Sequence, residues 1–306
     1  MPRFSYVNEH DANYEKSMKP QSIKDAWIRA RTDIYECDHK ILLPIIKLWE
    51  RSTFAPWNYT SCSGVVIKLE ELLSSDGKRL SSMYYRIING GGPHSYLNFQ
   101  GPVILSTITR DRAILGLTKE LYVELIKNIE PDYFFTPDGE NYFNRPNTSI
   151  YEVKRILSET NYILCQDLKS KPIGLVKGCC PHEAVEHVKS LLDLGINHHV
   201  MHLGDGLSRA SILEKKTMYS IYASIVNISP WLLLYGIGSR SNFRLFNKCN
   251  GYVTQSHFVY KFNHDSNDQA YGNPIMENLE HIENLLMRFE LDDIAYGTQS
   301  VLERWL

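Results

Sequence analysis

The sequence predicts an α/β protein built as a (β/α)8 barrel of the TIM type with an N-terminal extension. Two observations predict it. Short β-rich runs alternate with segments of helical periodicity at spacings of about 25–35 residues, the rhythm of parallel strands joined by right-handed crossovers. Nine such runs fall within one chain of 306 residues, which suits a single large barrel. A doubly wound parallel sheet is the alternative that the same rhythm allows.

Taken in order, residues 1–63 read as a helical and irregular extension, with an apolar stretch at 41–49 and an aromatic-anchored loop at 53–59. The barrel is expected over 64–306, with strands at 64–70, 83–88, 102–107, 132–135, 161–165, 173–176, 198–203, 231–236 and 252–254. One helix should open at Thr118, an N-cap with Glu120 in the first turn and Leu121, Leu125 and Ile129 on one face. The clearest helix lies between the strands at 173–176 and 198–203. Pro181 suits its first turn, Ala184, Val185, Val188, Leu191 and Leu192 recur at helical spacing, and Gly195 ends it. The triple glycine Gly90-Gly91-Gly92 lacks a dinucleotide fingerprint and reads as a loop over the barrel mouth.

The chain carries 33 Lys+Arg against 35 Asp+Glu, a formal charge of −2, with 43% hydrophobic and 22% charged residues. That balance excludes a general nucleic-acid coat, so an RNA or DNA partner must be met by a local basic patch. No apolar run approaches the roughly 20 residues that span a bilayer, and the polar start has no signal-peptide core, so a cytoplasmic protein without a membrane partner is expected. Six cysteines, two of them adjacent, read as thiols in a reducing compartment rather than as a disulfide scaffold.

In a parallel barrel the chemistry sits at the C-terminal ends of the strands, so the residues just past each run are informative. These are Thr136-Pro137-Asp138-Gly139, Lys177-Gly178-Cys179-Cys180, Gly204-Asp205-Gly206, and Gly236 with Gly238, Ser239 and Arg240. Glycines there leave backbone groups open to a planar ligand, and the Asp138 carboxylate can accept two N–H bonds from an aminopyrimidinone edge. Together they describe a pocket for a purine-like base; plain turns at Pro137-Asp138-Gly139 and Asp205-Gly206 are the other reading. Arg240, Arg244 and Lys248, spaced i, i+4, i+8, would form a basic stripe for nucleic-acid phosphates if helical, and a solvated helix face otherwise. No metal ligand set is legible. His182 and His187 lie five apart, on different faces of a helix, and His198 and His202 face opposite to His199 on a strand. Cys179, at a helix N-terminus, reads as a buried thiol or as a nucleophile.

In order and spacing these segments resemble the tRNA-guanine transglycosylase family, over about residues 100–272. The matching segments are Asp132–Asp138 (DYFFTPD), Gly174–Gly178 (GLVKG), the helix at 181–194, His202–Gly206 (HLGDG) and Leu234–Gly238 (LYGIG). The resemblance implies a (β/α)8 barrel that exchanges, or only binds, a guanine or 7-deazaguanine base in tRNA or DNA, with no cofactor. It implies base binding by Asp138, Lys177, Gly178, Gly204, Asp205 and Gly236. It also admits a homodimer, or a heterodimer with an active transglycosylase subunit. The family's two catalytic aspartates would fall near Thr107 and Thr254, neither of which is a carboxylate, and its C-terminal zinc site has no counterpart. A carboxylate nucleophile would then have to come from Asp205 or Asp111.

Overall fold

The computed structural model describes residues 40–48, 63–109, 111–139, 146–203, 212–237, 242 and 245–254. Eight parallel strands close into one barrel in sequence order. They are β1 (Ile41–Ile46), β2 (Val65–Lys68), β3 (Val103–Ser106), β4 (Tyr133–Phe135), β5 (Lys171–Val176), β6 (His198–His202), β7 (Trp231–Tyr235) and β8 (Gly251–Thr254). The helices between them are α1 (Leu69–Leu72), α2 (Ser82–Asn89), α3 (Gly92–Leu97), α4 (Asp111–Gly116), α5 (Lys119–Ile129), α6 (Pro146–Leu164), α7 (Pro181–Asp193) and α8 (Ile212–Ile225). The fold is the expected (β/α)8 barrel.

Alternation along the strands builds two cores. Ile41, Leu43, Ile45, Val66, Ile104, Tyr133, Phe135, Ile173, Leu175, Val200, Leu233 and Val253 fill the barrel interior. Residues of opposite parity, such as Ile67, Leu105 and Phe134, pack outward under α1, α2, α3 and α5. On the other side, Val176, Met201, Leu232 and Leu234 meet α7 and α8. No helix among the described residues is long and apolar enough to cross a membrane.

The barrel begins earlier than residue 64. Residues 41–46, expected in the extension, form β1 and close the barrel by pairing with β2 and β8. Pro44 masks this strand in the sequence, because proline cannot donate to a ladder. It is tolerated where it stands: pairing with β8 ends at Pro44 opposite Thr254, and the register with β2 runs over Ile45 and Ile46.

Two expected strands are helices. At 83–88, Met83, Tyr84 and Ile87 are buried at helical spacing in α2, and the Ser81 side chain caps it by accepting from the N–H groups of Met83 and Tyr84. At 161–165 the chain is the end of α6, whose buried residues Ser149, Ile156, Thr160 and Ile163 also follow the helical period. The triple glycine is not a lid over the mouth. It joins α2 to α3, and His94 of α3 contacts Asp132 at 3.1 Å, where Asp132 also accepts from the N–H of Val103 at the start of β3. That is the opposite end of the barrel. The helices at 118–129 and 181–193 stand as expected, the first capped by the Thr118 side chain accepting from Leu121 N–H at 3.2 Å.

Candidate functional site

At the C-terminal ends of the strands the inward parity passes from Val66, Ile104, Phe135, Leu175 and Val200 to Lys68, Ser106, Pro137, Lys177 and His202. The apolar interior therefore ends in a polar mouth. Lys68 lies 3.7 Å from Glu70, which also accepts a hydrogen bond from the Thr109 hydroxyl at 2.7 Å. His202 stacks edge-on against Tyr235, with ring centroids 5.4 Å apart.

The central feature joins β4 to β5. The Lys177 ammonium forms an ion pair with Asp138 Oδ1, and both side chains are under a tenth exposed. Gly139 N–H donates to the same Oδ1 at 2.7 Å, and Lys177 Nζ donates to Gly139 O at 3.3 Å. Each charge is thus partnered where water is scarce, as buried charges require.

The backbone around the pair is fixed from below and behind. Thr136, fully buried, accepts Leu175 N–H on its hydroxyl at 2.8 Å, while its carbonyl accepts the Thr107 hydroxyl at 2.8 Å. Arg155 of α6 donates to the Asp138 carbonyl at 3.2 Å and is itself held by Glu152 and Glu159. Those carboxylates hold the guanidinium charged, against the burial that opposes it. Arg155 went unnamed in the sequence reading because the end of its helix resembled a strand. The legible signal was the spacing of Glu152, Arg155 and Glu159 at i, i+3 and i+7, which puts three charges on one helix face.

Behind Lys177, its N–H donates to His187 Nδ1 at 2.8 Å. Burial, with Lys177 nearby, pushes the His187 pKa down to about 3, so this imidazole is a neutral acceptor. His199 is likewise neutral, lowered to about 4 chiefly by burial. Ser229 donates its hydroxyl to Trp231 O and so accepts from His199 Nδ1 at 2.8 Å. These histidines are core residues, and His182 is exposed on the other side of α7.

The remaining sequence candidates divide. Asp138 and Lys177 meet directly. Gly178 lies beside them, but its demand for glycine comes from the helix: with φ at +149°, an added Cβ would lie 2.5 Å from the Ala184 nitrogen in α7. Gly236, at φ +90°, donates its N–H to Val253 O and extends the ladder past β7. Asp111 opens α4 after the end of β3. Lys248 is not part of a stripe at the mouth. It is exposed, its N–H bonds the Tyr222 hydroxyl at 2.6 Å, and it precedes β8, which places it at the N-terminal end of the barrel. Gly204, Asp205, Gly206, Gly238, Arg240 and Arg244 lie outside the described residues.

Thr107 and Thr254 are 1% and 0% exposed, and the Thr107 hydroxyl is committed to a carbonyl. Cys179 is buried, and burial with the nearby Glu183 carboxylate raises its thiol pKa to about 11, so it is not a resting thiolate. Cys165, Cys179, Cys180 and Cys249 are all free thiols.

No protein-family model matches the chain, and no curated protein does.

Proposed function

We propose that the barrel mouth binds a guanine-type base, guanine or a 7-deazaguanine, and that the protein is a divergent transglycosylase-like partner of tRNA or DNA. The observation that carries this is the Asp138–Lys177 pair on neighbouring strand ends. A guanine edge presents two N–H donors and a carbonyl oxygen in a row. A carboxylate beside an ammonium offers the complementary order, two acceptor oxygens and then a donor. An entering base exchanges one ion pair for hydrogen bonds to both ions, so neither charge is left bare.

The chemical half of a base exchange needs a carboxylate nucleophile at the ribose carbon. Near the family positions for it stand two buried threonines, and the Thr107 hydroxyl donates to Thr136 O, with no activating base bonded to it among the described residues. This favours a base-binding subunit whose exchange activity depends on an active transglycosylase partner. Exchange by the chain alone would require Asp205 or Asp111 as nucleophile.

Calorimetry with guanine, preQ1 and preQ0 tests the binding. Wild type should bind at least one of them, and Asp138→Asn should abolish it while circular dichroism shows the barrel intact. Silence with all three bases overturns the reading. A base-exchange assay with labelled guanine on tRNA and on DNA, with and without a transglycosylase partner, separates subunit from enzyme. If the chain exchanges alone, Asp205→Asn or Asp111→Asn should cost roughly 10⁴-fold or more, the scale of other nucleophile losses.

A further inference from the structure

At the junction of β5 and α7 the chain turns sharply through Gly178 and enters the helix with two adjacent cysteines. Cys180 is the N-cap of α7, in extended backbone at φ −147° and ψ 165°, and its side chain makes no capping hydrogen bond. Cysteine is an unusual choice there, since N-caps are normally Ser, Thr, Asp or Asn. Glu183, in the first turn, reaches back to accept the Cys179 N–H at 2.9 Å. The Ser149 hydroxyl of α6 donates to the same Oε2 at 3.2 Å. The carboxylate is thereby fixed beside both sulfurs. One ligand atom from each of Cys179, Cys180 and Glu183 lies within 4.8 Å of the others.

We propose that Cys179, Cys180 and Glu183 form a binding site for a thiophilic divalent cation of the Zn²⁺ class. Two sulfurs and a carboxylate oxygen are a zinc donor set, and three protein ligands leave a fourth position open. A tetrahedral ion with bonds of roughly 2.0–2.3 Å holds its ligands about 3.5–3.8 Å apart. From within 4.8 Å the donor atoms have to draw together by about an ångström to reach that spacing. Binding replaces two S–H bonds by two metal–sulfur bonds and releases both protons to solvent. The bound site carries one net negative charge, two thiolates and a carboxylate against a dication. It sits at the positive end of the α7 dipole, which favours such a charge. Ser149 is the outer partner that orients the carboxylate, the usual arrangement around a metal ligand.

The site is separate from the Asp138–Lys177 pair, which supplies none of its ligands, and it does not depend on base binding. It lies at the same end of the barrel, because Cys179 follows Lys177 by two residues past the end of β5.

The test uses the full chain, reduced and stripped with a chelator, then titrated with Cd²⁺ and with Co²⁺. Thiolate-to-metal charge transfer and the tetrahedral Co²⁺ bands should saturate at one equivalent, and Zn²⁺ should displace either ion. Cys180→Ser is the decisive variant, because serine is a preferred N-cap and the helix should keep its stability. It should abolish the two-thiolate band and weaken Zn²⁺ at least about 100-fold, and Glu183→Gln should weaken it at least about tenfold. A variant with Cys37, Cys62, Cys165 and Cys249 all changed to serine should keep the band. Absence of a band in wild type overturns the proposal, as does a band that survives Cys180→Ser.

Discussion

Lys177 and Asp138 are nearly out of reach of water, and a full charge at that depth is costly once its partner is gone. Asp138→Ala should therefore destabilise the protein by about 3–5 kcal/mol, the cost of leaving a buried cation without its partner. Part of the cost would be relieved if the Lys177 side chain turned to water. Replacing both, Asp138→Leu with Lys177→Met, removes the charges together and should recover most of that loss. Urea unfolding of the single and double variants measures it. Equal destabilisation in both would mean that packing around the strand ends, and not the unpaired charge, sets the cost. The same pair explains why a binding variant should be Asp138→Asn: asparagine keeps the volume and a carbonyl acceptor for Lys177 while giving up the second acceptor a base needs.

At the scale of elements, Gly178 shows how a glycine can be read as part of a ligand slot when its neighbours decide it. Its positive φ and the approach of Ala184 leave no room for a side chain between β5 and α7. Gly178→Ala should cost several kcal/mol, since both backbone strain and a clash with main-chain atoms oppose it. Thermal unfolding should show the loss without any ligand present. An unchanged midpoint would mean that the helix can slide away from the strand. The helix itself was plain in the sequence because Pro181, the apolar period and Gly195 all agree on one element. So were β5, β6 and β7, where runs of apolar residues stand between turn signals. What misled was short apolar runs with no period of their own. The run at 83–88 and the run at 161–165 carry β-branched and aromatic residues, yet each lies in a helix: Met83, Tyr84 and Ile87 are buried in the first and Ile163 in the second, while Tyr85, Arg86 and Asn161 are exposed. At the site, Asp138 and Lys177 were legible as strand-end residues. Their pairing was not, because it depends on which strands are neighbours, and Arg155 needed the length of α6 to be known. Lys248 failed for the same reason: an i, i+4, i+8 spacing says nothing about where a helix ends.

For the molecule as a whole, closure depends on a strand that the sequence hides. β1 contributes Ile41, Leu42, Leu43, Ile45 and Ile46, none more than 8% exposed. At roughly 1.5–3 kcal/mol for each buried aliphatic side chain, these five are worth on the order of 10 kcal/mol. That matches the entire stability of a typical domain, roughly 5–15 kcal/mol. Without β1 the barrel would also gain two open edges, β2 and β8, each offering unpaired backbone groups to another chain. The seam is tight, since any side chain at Gly251 of β8 would overlap Ile41. A chain beginning at residue 64 should therefore lose cooperative unfolding, bind a hydrophobic dye such as ANS and elute as aggregate. A chain beginning at residue 40 should keep the closed barrel and a sharp urea transition. The comparison is decisive because the two chains differ by 24 residues, β1 and the segment to residue 63. If the shorter chain unfolds with the same midpoint and slope as the longer one, the eight-stranded closure is not what holds the mouth together. The positions of Asp138 and Lys177 would then have to be explained by β4 and β5 alone.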